Sequence, residues 1–373
     1  MNLGVIKAYM KKEILELIRS KMIFMVYIMP SMILLLFGYG IRMEVTHARV
    51  LILDNDQSHF SRILIEKLSH SKYFNSKVSY MSENEALRSI KRAKTDILII
   101  IPQSFQKRIL HFQKSEIGVF IDGSFPLRAT TMESYVQGVI LNTAYEISSK
   151  YNINPKGLIK INNRNLFNQA MRDEDAIVPG LIGLVLLVAP AILAALLIVK
   201  EKERGTIFNF YSSEVTKIEF LTAKIIPAFF LHSLNIFILF LIAEYIFNVP
   251  FRGSFALYWF CSEVYILISL AIGMLVSVVT KRQIVAVVLT IIITIIPGFL
   301  YSGILMPISS MRGESYIEAH IFPVMYYNHI IYDTFLIGEG LASSKNVLFL
   351  SILFFYALIL LLLGVLLLRK ELK

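Results

Sequence analysis

The sequence predicts an α-helical polytopic membrane protein, with six transmembrane helices and an inserted extracytoplasmic α/β domain. Three observations carry that prediction. The 373 residues are 56% apolar and only 17% charged, with mean hydropathy +0.63. Soluble chains average about 45–50% apolar and roughly a quarter charged. Six apolar stretches match the roughly 20 residues needed to cross hydrocarbon, at 22–41, 177–199, 225–247, 255–279, 284–306 and 347–368. Between the first two lies a long polar segment, 42–176, in which strand-like and helix-like runs alternate. The net charge of +10 fits cytoplasmic anchoring of a membrane protein better than binding to nucleic acid. The single cysteine, Cys261, excludes an intramolecular disulfide and a cysteine-based zinc cluster.

In chain order, residues 1–21 place Leu3, Ile6, Met10, Ile14 and Leu17 on one stripe, with Lys11, Lys12, Glu16 and Arg19 away from it. That pattern predicts an amphipathic helix in the cytoplasmic interface, or a basic flank that only sets topology. The first apolar stretch is longer than a signal-peptide core and lacks a small-residue cleavage site, so it reads as a retained helix. Segment 42–176 offers strands in "ARVLILD", "SKVSYM", "TDILIII" and "EIGVFID", with helical runs between them and a longer helix from about 126 to 150. Strands alternating with helices indicate a small α/β domain. "DNDQS" at 54–58 lacks the later ligands of a calcium loop and reads as a turn followed by a Ser58 helix cap. Residues 177–368 hold the remaining five spans and 369–373 a short tail. Short flanks carry fourteen Lys and Arg on the side of the termini against three on the other. Both termini are therefore expected in the cytoplasm of a bacterial cell, with 42–176 outside the inner membrane.

The loop 200–219 begins "KEKERGTIF". Gly205 can break a helix without steric cost and Thr206 can cap a new one. A short helix through "IFNFYSSEV" is predicted to expose Ile207, Phe208, Phe210 and Tyr211 beside the charges, as a docking surface for another protein. "EKERGT" followed by "EFLTAKIIP" resembles the membrane subunits of ABC-2 type ATP-binding-cassette exporters, of the branch with a large outer domain between spans one and two. Glu201, Glu203, Arg204, Gly205, Thr206, Glu219, Phe220, Lys224 and Pro227 carry this resemblance. "SGILMPISSM" with Ser302, Gly303, Pro307 and Met311, then Pro323 and "FLIG" ending at Gly338, resembles the family's outer re-entrant segment, 302–338. Here "IFNFYSSEV" replaces the family's Leu-rich stretch with Pro, Arg312 replaces a usual Pro, and Asp333 stands where a basic residue is common.

The resemblance implies a coupling helix docking on a separate ATPase through Glu201, Glu203, Arg204, Gly205, Thr206, Phe208 and Phe210. It also implies a dimer with a second permease copy or a related permease. This chain would bind no cofactor, ATP and Mg belonging to the partner. The chain has no G-x-x-x-x-G-K-[ST] motif, so P-loop hydrolysis must come from another polypeptide. Expected cargoes are drug-like or lipid-like amphiphiles, with contact to membrane lipid and to a periplasmic adaptor protein. Sodium, polysaccharide or peptide export, or a membrane transferase, are the alternatives. Four intramembrane polar residues, His232, Asn235, Glu244 and Glu263, fit a proton relay, a cationic-substrate contact or interhelical hydrogen bonding. An antiparallel neighbour would bring Glu263 towards the His232–Asn235 face. Pro297–Gly298 predicts a kink in the fifth span.

Overall fold

The computed structural model describes residues 3–20, 22–41, 45–92, 94–111, 113, 115–122, 126–151, 172–305, 308, 311–368 and 370. Two compact units emerge, one from 1–41 with 164–373 and the other from 42–163. Pro307 and most of the tail 369–373 lie outside the described residues.

The smaller unit is a four-stranded sheet in the order β2-β1-β3-β4, from β1 (Ala48–Asp54), β2 (Phe74–Ser79), β3 (Ile97–Ile101) and β4 (Gly118–Ile121). Strands β2 and β3 run parallel to β1, with Val50 opposite Ile97, and β4 closes the edge antiparallel to β3. Both faces are covered, which is why β1 and β3 read as continuous apolar runs. Val50, Ile52, Ile97 and Ile99 pack with α3 (His59–Ser69) and α6 (Pro126–Lys150). Leu51, Leu53 and Leu98 meet Ala86 of α4 (Glu83–Lys91) on the opposite face. After β1, Asp54 Oδ1 accepts from the backbone N–H of Asp56 and Gln57, at 3.1 and 2.9 Å. Ser58 caps α3 by accepting from Ser61 N. At the end of β3, Asp56 accepts from Gln106 N, in α5 (Phe105–Leu110), at 3.0 Å. Asp96 accepts from Arg49 Nε and Nη2 at 3.0 and 2.8 Å, and this pairing, first of all the side-chain hydrogen bond, holds its carboxyl below the usual range.

The larger unit is a helical bundle. Among the described residues, five elements are long and apolar enough to cross a membrane. They are α7 (Asp173–Glu203), α9 (Lys217–Leu241) continued by a π-helical turn (Ile242–Ile246), α10 (Phe255–Val279), α11 (Gln283–Leu300) and α14 (Ser344–Leu367). The apolar helix α2 (Met22–Gly40) precedes them, after α1 (Leu3–Arg19). Helix α7 forms the centre, packing against α2, α9, α10 and α11. Gly273 of α10 lies so close to the Ala191 carbonyl of α7 that a Cβ there would overlap it.

Two expectations are corrected and the start of the third span is extended. The fifth span does not continue to 306: α11 ends at Leu300, directly after Pro297, and Gly303 turns the chain at φ +83°. Gly298 gives α11 close approach to Leu184 of α7, in the last turn of α11. The stripe of α1 is rotated: Ile6 and Leu17 are buried with Glu13, while Ile14 is exposed. The side chain of Leu3 lies outside the description. Helix α9 starts at Lys217, so "EFLTAK" is helical, opened by a capping box between Thr216 and Glu219.

Candidate functional site

Consecutive residues of an α-helix point about 100° apart, so four in a row sweep most of its circumference. The last turn of α7 uses that geometry. Lys200 pairs with Glu16 of α1. Glu201 accepts from Lys12 of α1 at 2.8 Å and pairs with Lys224 of α9 at 3.0 Å. Lys202 donates to the Ser277, Val278 and Thr280 carbonyls, which the end of α10 leaves without helical partners. Glu203 accepts from the backbone and side-chain N–H groups of Gln283, both at 2.9 Å, at the N-terminus of α11. Four adjacent charges thus tie the end of α7 to four different helices.

Lys224 lies at the centre of this joint, only 2% exposed. Its ammonium donates to Glu13 at 2.7 Å and to the Leu197 carbonyl at 3.1 Å, besides facing Glu201. A buried lysine stays charged only when such partners replace its water. On α1, Glu16 is held below the ordinary glutamate range, first by the hydrogen bond from Lys200.

Beyond the joint, Gly205 takes φ +75°, the left-handed conformation that ends α7. A one-turn helix, α8 (Ile207–Tyr211), follows. Its predicted display of aromatics is corrected: Ile207 and Phe210 are buried, and Phe208 is 52% exposed. Phe210 stacks on Phe220 with ring centroids 4.1 Å apart, and the Lys370 ammonium sits 5.1 Å from its ring centroid. Lys370 also donates to the Ser213 and Val215 carbonyls, at 2.6 and 2.7 Å, fastening the chain after α8. Thr206 does not cap α8. It is itself in helical conformation, and its hydroxyl points back to the Glu201 carbonyl at 3.4 Å. Glu201 is buried too, so the outward face of the elbow consists of Glu203, Arg204, Thr206, Phe208 and Asn209.

The remaining motif residues divide by location. Phe220 and Pro227 are buried in α9. The Ser302 carbonyl accepts from Asn328 at 2.9 Å, in α13 (Pro323–Tyr332), which follows the short helix α12 (Glu314–Ile321) and has Pro323 as its first helical residue. Met311 is buried, and Gly338, at φ +88°, packs against the Arg252 carbonyl. His232 and Asn235 are buried together, 3.0 Å apart, and Asn235 donates to the Val26 carbonyl at 3.0 Å. Pro30 lacks the N–H that would have served that carbonyl, so Asn235 repairs α2. Glu263 reaches Ser233, at 2.9 Å, rather than the His232–Asn235 pair. Glu244 lies half-buried in the π-helical turn after α9. The sequence reading missed Glu13, Gln283, Lys370 and Asn328. Only Glu13 carried a usable signal, as a carboxylate inside an apolar stripe.

The family model described as ABC-2 family transporter protein matches residues 20–368. The chain belongs to that family. The permease is 28% identical over 348 residues to the probable multidrug ABC transporter permease YbhS of Escherichia coli, covering 92% of each chain. It is 25% identical over 338 residues to the probable multidrug ABC transporter permease YbhR of the same organism, covering 90% of this chain and 91% of that one. With the inner membrane transport permease YhhJ of Escherichia coli it shares 22% over 270 residues, covering 71% of this chain and 70% of the other. It is therefore a non-catalytic, multi-pass membrane subunit of an ABC exporter, and ATP is hydrolysed by a separate ATPase. The transferase alternative is set aside on the same ground.

Proposed function

We propose that the permease has six spans with both termini cytoplasmic and residues 42–176 outside, and that it moves small amphiphilic molecules out of the inner membrane or cytoplasm. Its cytoplasmic elbow, α8 with the end of α7, docks on the ATPase that binds ATP and Mg. A second permease copy completes the pathway, and the outer α/β unit meets a periplasmic adaptor. The multidrug designations of YbhS and YbhR support the cargo class. The carrying observation is the joint itself: Lys200, Glu201, Lys202 and Glu203 bind one helix end to α1, α9, α10 and α11. A push on the exposed Phe208–Arg204 face therefore moves several helices as a rigid body instead of bending one.

The test is co-purification and coupling. Arg204→Glu with Phe208→Ala alters only exposed side chains, so the bundle should stay folded. The pair should lose cargo-stimulated ATP hydrolysis, or the ATPase itself, on purification. Normal export by that double variant would refute the docking role.

A further inference from the structure

Three of the four intramembrane polar candidates have a protein-internal explanation or sit near a helix end. Glu263 does not. Eight residues into α10, about 12 Å along its axis, it is half-buried in the seam where α10 packs on α9. It accepts a hydrogen bond from the Ser233 hydroxyl at 2.9 Å and lies beside the Trp259 side chain, both neutral groups. No Lys, Arg or His among the described residues forms an ion pair with it. An ionised carboxylate at this depth is costly without a counter-charge.

The surroundings define what that counter-charge can be. Trp259 and Glu263 are one turn apart on α10, and Phe230, Ser233 and Phe237 recur at helical spacing along α9. Phe230 is 67% exposed and Phe260 is 54% exposed, so these rings lie on the outer surface of the bundle beside the seam. Small inorganic cations need several oxygen ligands, and no group of three or more His, Cys, Asp or Glu suited to a metal occurs among the described residues. Aromatic faces instead attract bulky organic cations, most strongly where water is excluded.

We propose that the α9–α10 seam is a lateral binding site for membrane-dissolved amphiphilic monocations, with Glu263 as the anionic anchor and Trp259, Phe230 and Phe260 as the aromatic wall. Ser233 orients the carboxylate. The site names a substrate class within the export reading and rests on that reading only for the direction of transport. Neutral amphiphiles gain nothing from the carboxylate, and anions are repelled by it.

Trp259 is the only tryptophan of the chain, so in lipid vesicles free of any other protein, without the ATPase, tryptophan fluorescence reports on this seam alone. The purified permease in phosphatidylcholine vesicles is titrated with tetraphenylphosphonium and, separately, with neutral triphenylphosphine oxide. Saturable quenching by the cation only is expected. Glu263→Gln should weaken it by about tenfold or more, the scale of one lost charge pairing, and Glu263→Asp should fall between. Phe230→Ala, which removes an exposed ring and no polar contact of the carboxylate, should also weaken it. Saturable binding indifferent to Glu263→Gln overturns the site. So does non-saturating quenching equal in all variants, which is partition into lipid, or a fluorescence change that follows pH but not the cation, which is a proton relay. Co-purification of the ATPase is scored on separate preparations of the same variants, so failure of the coupling reading and failure of the cation site are seen separately.

Discussion

The C-terminal end of α7 is held by charge, whereas its N-terminal part is held by shape. At the charged end, Lys200, Glu201, Lys202 and Glu203 reach out to partners on α1, α9, α10 and α11. At the other end, Gly183 lies against Asn328 and Tyr327 of α13, and Gly180 lies against Ile304 and Tyr332. The Tyr332 hydroxyl donates to the Ala176 carbonyl at 2.7 Å, and Tyr327 stacks on Tyr265 with centroids 4.0 Å apart. The ion pairs hold the end of α7 to several helices at once, and the close-packed glycine contacts at its other end cannot slide without overlap. One helix is therefore joined by charge at one end and clamped by packing at the other.

That contrast can be broken from either end. The largest effect is expected at Lys224→Met, which leaves Glu13 and Glu201 buried against a neutral side chain and should cost about 3–5 kcal/mol. Thermal unfolding in nanodiscs measures it, and a further Glu13→Gln should restore part of the loss. A Lys224→Met protein melting like the parent would show that the joint is not buried. Next is Gly183→Ala, whose Cβ would overlap the Asn328 carboxamide oxygen. It should destabilise by about 1–3 kcal/mol through overpacking. Hydrogen exchange should then rise in α13 and stay unchanged in α8; equal rises in both would dissolve the distinction between clamp and joint.

Gly205→Ala places a Cβ on a left-handed residue at φ +75°, at a cost of about 1–2 kcal/mol. Its signature should be a lower ratio of transport to ATP hydrolysis with ATPase still bound; an unchanged ratio would mean the turn is not part of the coupling. The smallest effect concerns acid. Because Glu16 titrates lower in the folded protein than in the unfolded chain, its stabilisation is complete above the ordinary glutamate value and is lost as pH falls through the depressed one. The pair with Lys200 is partly exposed, so about 0.5 kcal/mol is at stake. Glu16→Gln should flatten the acid limb of stability against pH by that amount, and an identical limb would remove Glu16 from the joint.

Much of this was legible in the sequence because the relevant physics is local. Apolar length marks α7, α10 and α14, and a short continuous apolar run bounded by turn residues marks "ARVLILD". Gly205 was legible as a helix stop for the same reason. The burial of Phe210 was not: an aromatic beside charges suits a docking face equally well, and only its stacking on Phe220, from a different helix, decides the matter. The same holds for Glu263, whose residue type and depth are readable while its contact with Ser233 across the α9–α10 seam is not.

By itself, then, the sequence determined which segments are helix, strand or turn and where the charges fall along them, since hydropathy, period and capping act within a few residues. The tertiary structure alone decided that "KEKE" points to four separate helices, that Lys224 lies between Glu13 and Glu201, and that Gly183 admits Asn328. Those contacts join residues up to 211 positions apart, and their existence depends on how whole helices rotate against one another, which no local pattern encodes.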